Sequence, residues 1–257
     1  MRRTRKRRKH VNILPSLLTI GNMYCGLLSV VYTINGEFKL AAWMILLALL
    51  FDGSDGHVAR LIRSTSNFGK ELDSLADVVT FGVAPAVLVY RSILHGFEHV
   101  GVFLVTLYAI TGALRLARYN VYSSGTVKSF TGLPIPGAGC MIASLVLMKL
   151  KYDPLYGQTI VYDYLAFFIA AFVVVLAFLM VSTITYPKQE LFLVRRNRAF
   201  QYTFMLIVFL SLVKLMKPTL FLFIVFITYV LIGPVNYLTR SRKGLEQAPQ
   251  ETEEPAS

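Results

Sequence analysis

Charge is scarce in this sequence. Only 16% of its 257 residues are Asp, Glu, Lys or Arg, where a soluble domain carries nearer a quarter. That deficit excludes an ordinary water-facing surface. It accompanies a 55% hydrophobic share and a mean hydropathy of +0.59, gathered in long blocks such as Leu40–Phe51 and Leu165–Val181. Cysteine is equally sparse: Cys25 and Cys140 both fall inside apolar stretches. This argues against a disulfide framework or a thiolate metal centre and leaves two small buried hydrophobes. The histidines, His10, His57, His95 and His99, are scattered rather than clustered. No small-residue cleavage site follows the first apolar run, so the basic start does not read as a removable signal. Internal repeats and a separate soluble domain are also lacking.

What is present is enough apolar length to cross a bilayer several times. A spanning helix takes roughly 20 residues, and lipid offers unpaired backbone groups no partner, so spans of this composition are helices. The expected fold is all-α, a polytopic membrane helical bundle of about eight transmembrane helices. They are placed at 14–34, 40–60, 72–92, 100–120, 134–150, 161–184, 200–216 and 218–238, with Lys217-Pro218 turning the chain between the last two. This divides the chain into a basic amino terminus (1–10), a transmembrane catalytic domain (11–240) and a polar tail (241–257) expected to be disordered.

The formal net charge of +12 and the run Arg2–Lys9, RRTRKRRK, invite a nucleic-acid reading. A basic run directly before an apolar helix instead anchors the cytoplasmic end of a membrane segment, so membrane lipids and not nucleic acid are the expected contact. Charge asymmetry agrees. With the amino terminus inside, twenty of the 26 basic residues fall in cytoplasmic segments and six outside, a bias that places both termini in the cytoplasm. The expected location is the cell (cytoplasmic) membrane, and the hairpin between the second and third spans then faces the cytoplasm.

That hairpin holds five of the fourteen acidic residues, Asp52, Asp55, Glu71, Asp73 and Asp77, within 26 positions. Asp52 and Asp55 are three apart and Asp73 and Asp77 four apart, so each pair shares a helix face. Antiparallel packing of the two helices would bring both pairs together at the membrane boundary. Carboxylates so placed must be protonated, paired or bound to metal. An all-oxygen set suits a hard cation, Mg²⁺ or Mn²⁺, and a two-ion site is the usual device for displacement at phosphorus. Gly53, Gly56 and Gly69 leave room for a phosphate ligand, and Arg60 suits a phosphate oxygen. Capping explains one or two acids at helix ends; it does not explain four at facing positions.

The pattern D-x2-D-G-x2-A-R-x8-G-x3-D-x3-D, from Asp52 to Asp77, resembles the signature of the CDP-alcohol phosphotransferases at every fixed position. Within that superfamily, four stretches look like the bacterial-type phosphatidylserine synthases. They are Leu14–Asn22, Glu71–Pro85, Gly112–Asn120 and Phe130–Pro136. One departure is Pro15-Ser16, where many relatives have Pro-Asn. The resemblance implies transfer of a phosphatidyl group from CDP-diacylglycerol to L-serine with release of CMP. It implies Asp52, Asp55, Asp73 and Asp77 as metal ligands, partners of two Mg²⁺ or Mn²⁺ ions, and Asp77 as the base. Gly56, Arg60, Ser66 and Asn22 would hold the nucleotide portion of CDP-diacylglycerol. A homodimer is implied as well.

For serine, whose carboxylate wants an arginine, the candidates are Arg115, Arg118 and Asn120 at the inner end of the fourth span. Two other functions stay open at this point. One is a sister enzyme using glycerol phosphate or inositol phosphate, which would need further basic residues. The other is a cation transporter, since carboxylates within a membrane also mark ion pathways.

Overall fold

The computed structural model describes residues 13–61, 67–122, 130–152, 159–186 and 218–246. Helix α1 (Ile13–Ile34) shows how the chain solves burial in lipid. Thr19, Asn22, Ser29 and Thr33 are buried, whereas Leu17, Ile20, Tyr24, Leu27, Val31 and Ile34 are exposed. The polar and small residues turn inward and the large apolar ones outward, the reverse of a water-soluble helix. Gly36 ends α1: its φ of +82° lets its N–H reach the Thr33 carbonyl while Glu37 N–H reaches Tyr32. This paired closure of the last turn needs a residue free to adopt the left-handed region. Helix α2 (Phe38–Leu61) then runs back along α1.

The third expected span is a composite rod: α3 (Asn67–Asp77), a π-helical segment (Val78–Val83) and α4 (Ala84–Ser92). It starts five residues earlier than the expected 72, because Lys70, Glu71 and Leu72 favour a helix as well as any lipid-facing residue does. Pro85 follows the π segment and has no N–H to give the Phe81 carbonyl. The Tyr108 hydroxyl donates to that carbonyl instead, at 2.9 Å, which gives it a partner where lipid would offer none. A 3₁₀ turn (Leu94–Phe97) leads to α5 (Glu98–Tyr122), and Lys149 Nζ closes α4 from outside by donating to the Ser92 carbonyl at 3.0 Å.

A two-residue ladder pairs β1 (Phe130–Thr131) with β2 (Thr185–Tyr186); otherwise the described residues form helices and the short turns between them. Between these strands lie α6 (Ile135–Tyr152) and α7 (Thr159–Val181), and α8 (Pro218–Glu246) follows. Gly132, at φ +81°, gives its N–H to Ile184, and Leu133 gives its own to Leu179, fastening the approach to α6 onto the end of α7. The core between the helices is filled by Phe81, Tyr108, Ile135, Met141, Leu176 and Met180. Cys25 and Cys140 are free and buried, as expected.

Among the described residues, five helical stretches are long and apolar enough to cross a membrane: Ser16–Ile34, Phe68–Ser92, Leu94–Val121, Tyr164–Val181 and Pro218–Asn236. They correspond to the first, third, fourth, sixth and eighth expected spans. Helices α2 and α6 form where the second and fifth were expected. Asp52, Asp55 and Arg60 ride on α2, and Lys149 and Lys151 on the last turn of α6. The expected span at 200–216, the amino terminus 1–10 and residues 247–257 lie outside the described residues. Residues 241–246, assigned from sequence to the tail, continue α8; Arg242 and Lys243 there suit a helix carboxyl end.

Candidate active site

Helix α1 is the wall on which the site is built. It packs along α2, α3, the π segment and α4, whereas α2 meets the rod mainly at α4. Among the described residues, α1 is the common partner that holds the two acidic helices together. Between them, carboxylate oxygens of Asp52, Asp73 and Asp77 lie within 4.8 Å of one another. Asp52 comes from α2, and Asp73 and Asp77 from successive turns of α3. Asp52 and Asp73 are partly exposed and Asp77 is buried.

Asp77 is held from α1. The Asn22 amide, itself fully buried, donates to Asp77 Oδ1 at 3.3 Å. The Thr80 hydroxyl, three residues further along the rod, donates to the Asn22 carbonyl at 3.1 Å. The helices approach this closely because position 26 is glycine: a Cβ there would stand 2.8 Å from Thr80 Cα. Asp77 is helical in backbone (φ −62°, ψ −42°) and makes no side-chain cap, so capping does not account for it.

Three carboxylates at this spacing repel unless positive charge stands among them. All-oxygen donors within one small sphere fit a hard divalent cation. Of the fourth expected ligand, Asp55, and of Gly56 and Arg60, only the backbone is described, on the last turns of α2; Ser66 lies outside the described residues. Gly53 faces open space, with nothing within 4 Å of a Cβ built there.

The three α5 residues expected to meet serine divide sharply. Arg118 donates to the Val181 carbonyl at 3.0 Å and to Ser182 at 3.3 Å, closing the end of α7. Asn120 donates to Ser74 Oγ at 2.8 Å, tying α5 to α3. Arg115 alone turns inward. It is 6% exposed, its Nε is buried without a hydrogen-bond partner, and its charge lies within electrostatic reach of Tyr229, Asp77 and Tyr119.

Sequence reasoning missed Tyr229 of α8 and did not assign Thr80 or Gly26. Thr80 sat in a quoted stretch without a role. Tyr229 offered a fainter signal, a phenol in mid-span, where tyrosine is less at home than at a membrane interface.

Comparison with known proteins agrees with this geometry. The family model of the CDP-alcohol phosphatidyltransferases matches residues 12–181, which contain every aspartate of the cluster and the α5 arginines. A CDP-diacylglycerol–serine O-phosphatidyltransferase of Helicobacter pylori is 36% identical over 227 residues, 88% of this chain and 91% of the relative. An archaetidylserine synthase of Methanothermobacter thermautotrophicus is 40% identical over 180 residues, covering 69% of this chain and 70% of the relative. The Bacillus subtilis CDP-diacylglycerol–serine O-phosphatidyltransferase is 36% identical over 177 residues, 69% of this chain and 91% of the relative. With its aspartates gathered on the signature spacing and more than half its length matched, the chain belongs to the CDP-alcohol phosphatidyltransferase family.

Proposed function

We propose that this chain is a CDP-diacylglycerol–serine O-phosphatidyltransferase working at the cytoplasmic face of the cell membrane. The observation that carries the proposal is the meeting of Asp52, Asp73 and Asp77 within 4.8 Å beside the inward-turned Arg115. The relatives' names differ in lipid, phosphatidyl or archaetidyl, and agree on serine, which supports serine as the acceptor.

In the reaction, the serine hydroxyl oxygen bonds to the phosphatidyl phosphorus and the anhydride bond to CMP breaks. An alcohol attacks well only as its proton leaves, and a carboxylate within hydrogen-bond reach can take that proton. Asp77 has this role: Asn22 grips one of its oxygens and so fixes the direction of the other. Because Asn22 is fully buried, its part in donor binding is indirect, through Asp77. Gly56, Arg60 and Ser66 hold the cytidine diphosphate portion. Two divalent ions, Mg²⁺ or Mn²⁺, held by Asp52, Asp55, Asp73 and Asp77, would neutralise the diphosphate and the departing CMP. Arg115 meets the serine carboxylate, while Arg118 and Asn120 brace the helices around it. The active form is a homodimer, which cross-linking in native membranes tests.

A phosphorylated acceptor would call for more cationic groups at the site. That Arg118 is engaged by the α7 carbonyls favours serine over glycerol phosphate or inositol phosphate. The cluster's place at one end of the bundle favours transfer chemistry over an ion path through the membrane midplane.

The test is CMP release from CDP-diacylglycerol by purified enzyme with and without L-serine, alongside Asp77→Asn. Serine-dependent release with a lipid product, lost in the variant, is the expected result. Release driven by glycerol phosphate or inositol phosphate would reassign the acceptor.

A further inference from the structure

Helix α8 lies beyond the family match, which ends at residue 181, yet it reaches the site. It packs lengthwise on α6, and the contact is set by one small residue. A Cβ at Gly137 would stand 2.7 Å from Tyr229 Cε1 and 3.1 Å from Cδ1. The Tyr229 ring therefore occupies the groove that glycine leaves in α6, with Val230 buried beside it. Seated there, the phenol lies within electrostatic reach of Arg115, and Arg115 within that of Asp77. A buried guanidinium with an unpartnered Nε is a costly arrangement to keep unless an anion completes it.

We propose that Tyr229, held in the Gly137 groove, is a specificity-determining residue that positions Arg115 to receive the carboxylate of the acceptor beside Asp77. The proposal rests on the serine reading and deepens it. A planar guanidinium binds a carboxylate through two parallel N–H donors, which works only if the fork is held in register. The Tyr229 phenol, in the field of that fork, adds a donor for a carboxylate oxygen. The ring also limits the volume next to Arg115, which favours a compact carboxylate over a larger phosphorylated head.

The experiment is steady-state kinetics on purified full-length enzyme, varying L-serine and CDP-diacylglycerol separately, for wild type, Tyr229→Phe and Gly137→Ala. The expected result is a KM for serine raised about tenfold in Tyr229→Phe, the loss of one hydrogen bond to a charged group. The KM for CDP-diacylglycerol stays within about twofold of wild type, which also reports that the variant is folded. Gly137→Ala, which pushes the ring from its groove, moves the same constant in the same direction. Ethanolamine, serine without its carboxylate, serves as a competing acceptor, and its disadvantage against serine narrows in both variants.

A serine KM unchanged in Tyr229→Phe overturns the proposal and leaves the enzyme's function intact. Equal rises in both KM values reduce Tyr229 to a packing residue and likewise overturn it. Absence of serine-dependent CMP release in the wild type overturns the serine reading, and the role of Tyr229 falls with it.

Discussion

Asp77 is held by a neighbour that the fold keeps dry. Asn22 is fully buried and its amide donates to the Asp77 carboxylate from α1. Replacing it with alanine removes a hydrogen bond to a charged group, worth about 1.5–3 kcal/mol. If that bond orients the base in the transition state, kcat falls roughly ten- to a hundredfold, with the KM for CDP-diacylglycerol little changed. Asn22→Asp is expected to be worse, since it adds a like charge beside three existing carboxylates. Kinetics of the two variants side by side check the order; an aspartate variant as active as the alanine one would refute it. The aspartates were legible in the sequence because chemistry constrains their spacing so tightly. Asn22 was legible only as part of a quoted stretch, and its partner was not. A contact between residues 22 and 77 depends on how two helices cross, which no local pattern records.

Between helices, one close approach and one borrowed hydrogen bond set the shape of the site. Gly26→Ala would drive a methyl group against the Thr80 backbone, an overpacking that costs about 1–3 kcal/mol. It should lower the melting temperature in detergent and, by moving α1 off the rod, lower activity too. Tyr108→Phe strands the Phe81 carbonyl that Pro85 leaves without its helical donor, at a cost of about 1–3 kcal/mol. Pro85→Ala restores an N–H to that carbonyl, so Tyr108→Phe should cost less in the Pro85→Ala background. A double-mutant cycle measures the coupling; additive effects would sink the account. Apolar blocks predicted most helices well because bilayer thickness sets their length. The π segment was not predicted, since it comes from packing against α1 and α5 and not from composition; the early start of α3 was missed because its first turns favour a helix without being apolar.

The molecule as a whole stores like charge at one end of a helical bundle, and its stability should report that. A divalent cation that binds the folded site and not the unfolded chain stabilises by mass action, about 2.7 kcal/mol at a hundred times its Kd. Adding Mg²⁺ or Mn²⁺ to chelator-treated enzyme is therefore expected to raise Tm, and Asp73→Asn should blunt the rise. A Tm indifferent to both ions would argue against the cluster as a cation site. The Arg118 latch belongs to this scale as well. Arg118→Ala frees the α7 carbonyls and is expected to loosen α5 against α7, seen as faster proteolysis after Val181 without a selective change in serine KM. The sequence marked Arg118 and Arg115 alike, and only the bundle separates them, by ending α7 against one and enclosing the other.

The inside-out pattern of α1 has a consequence for variation among descendants of this gene. On a soluble helix the apolar stripe resists change and the polar stripe drifts. Here Leu17, Ile20, Tyr24, Leu27, Val31 and Ile34 touch a solvent that accepts any greasy side chain, so they are free to interchange. Thr19, Asn22, Gly26, Ser29 and Thr33 each answer to a protein neighbour and should resist substitution. A deep mutational scan of the first span would then show tolerance rising and falling every three to four residues, with its minima at the least hydrophobic positions.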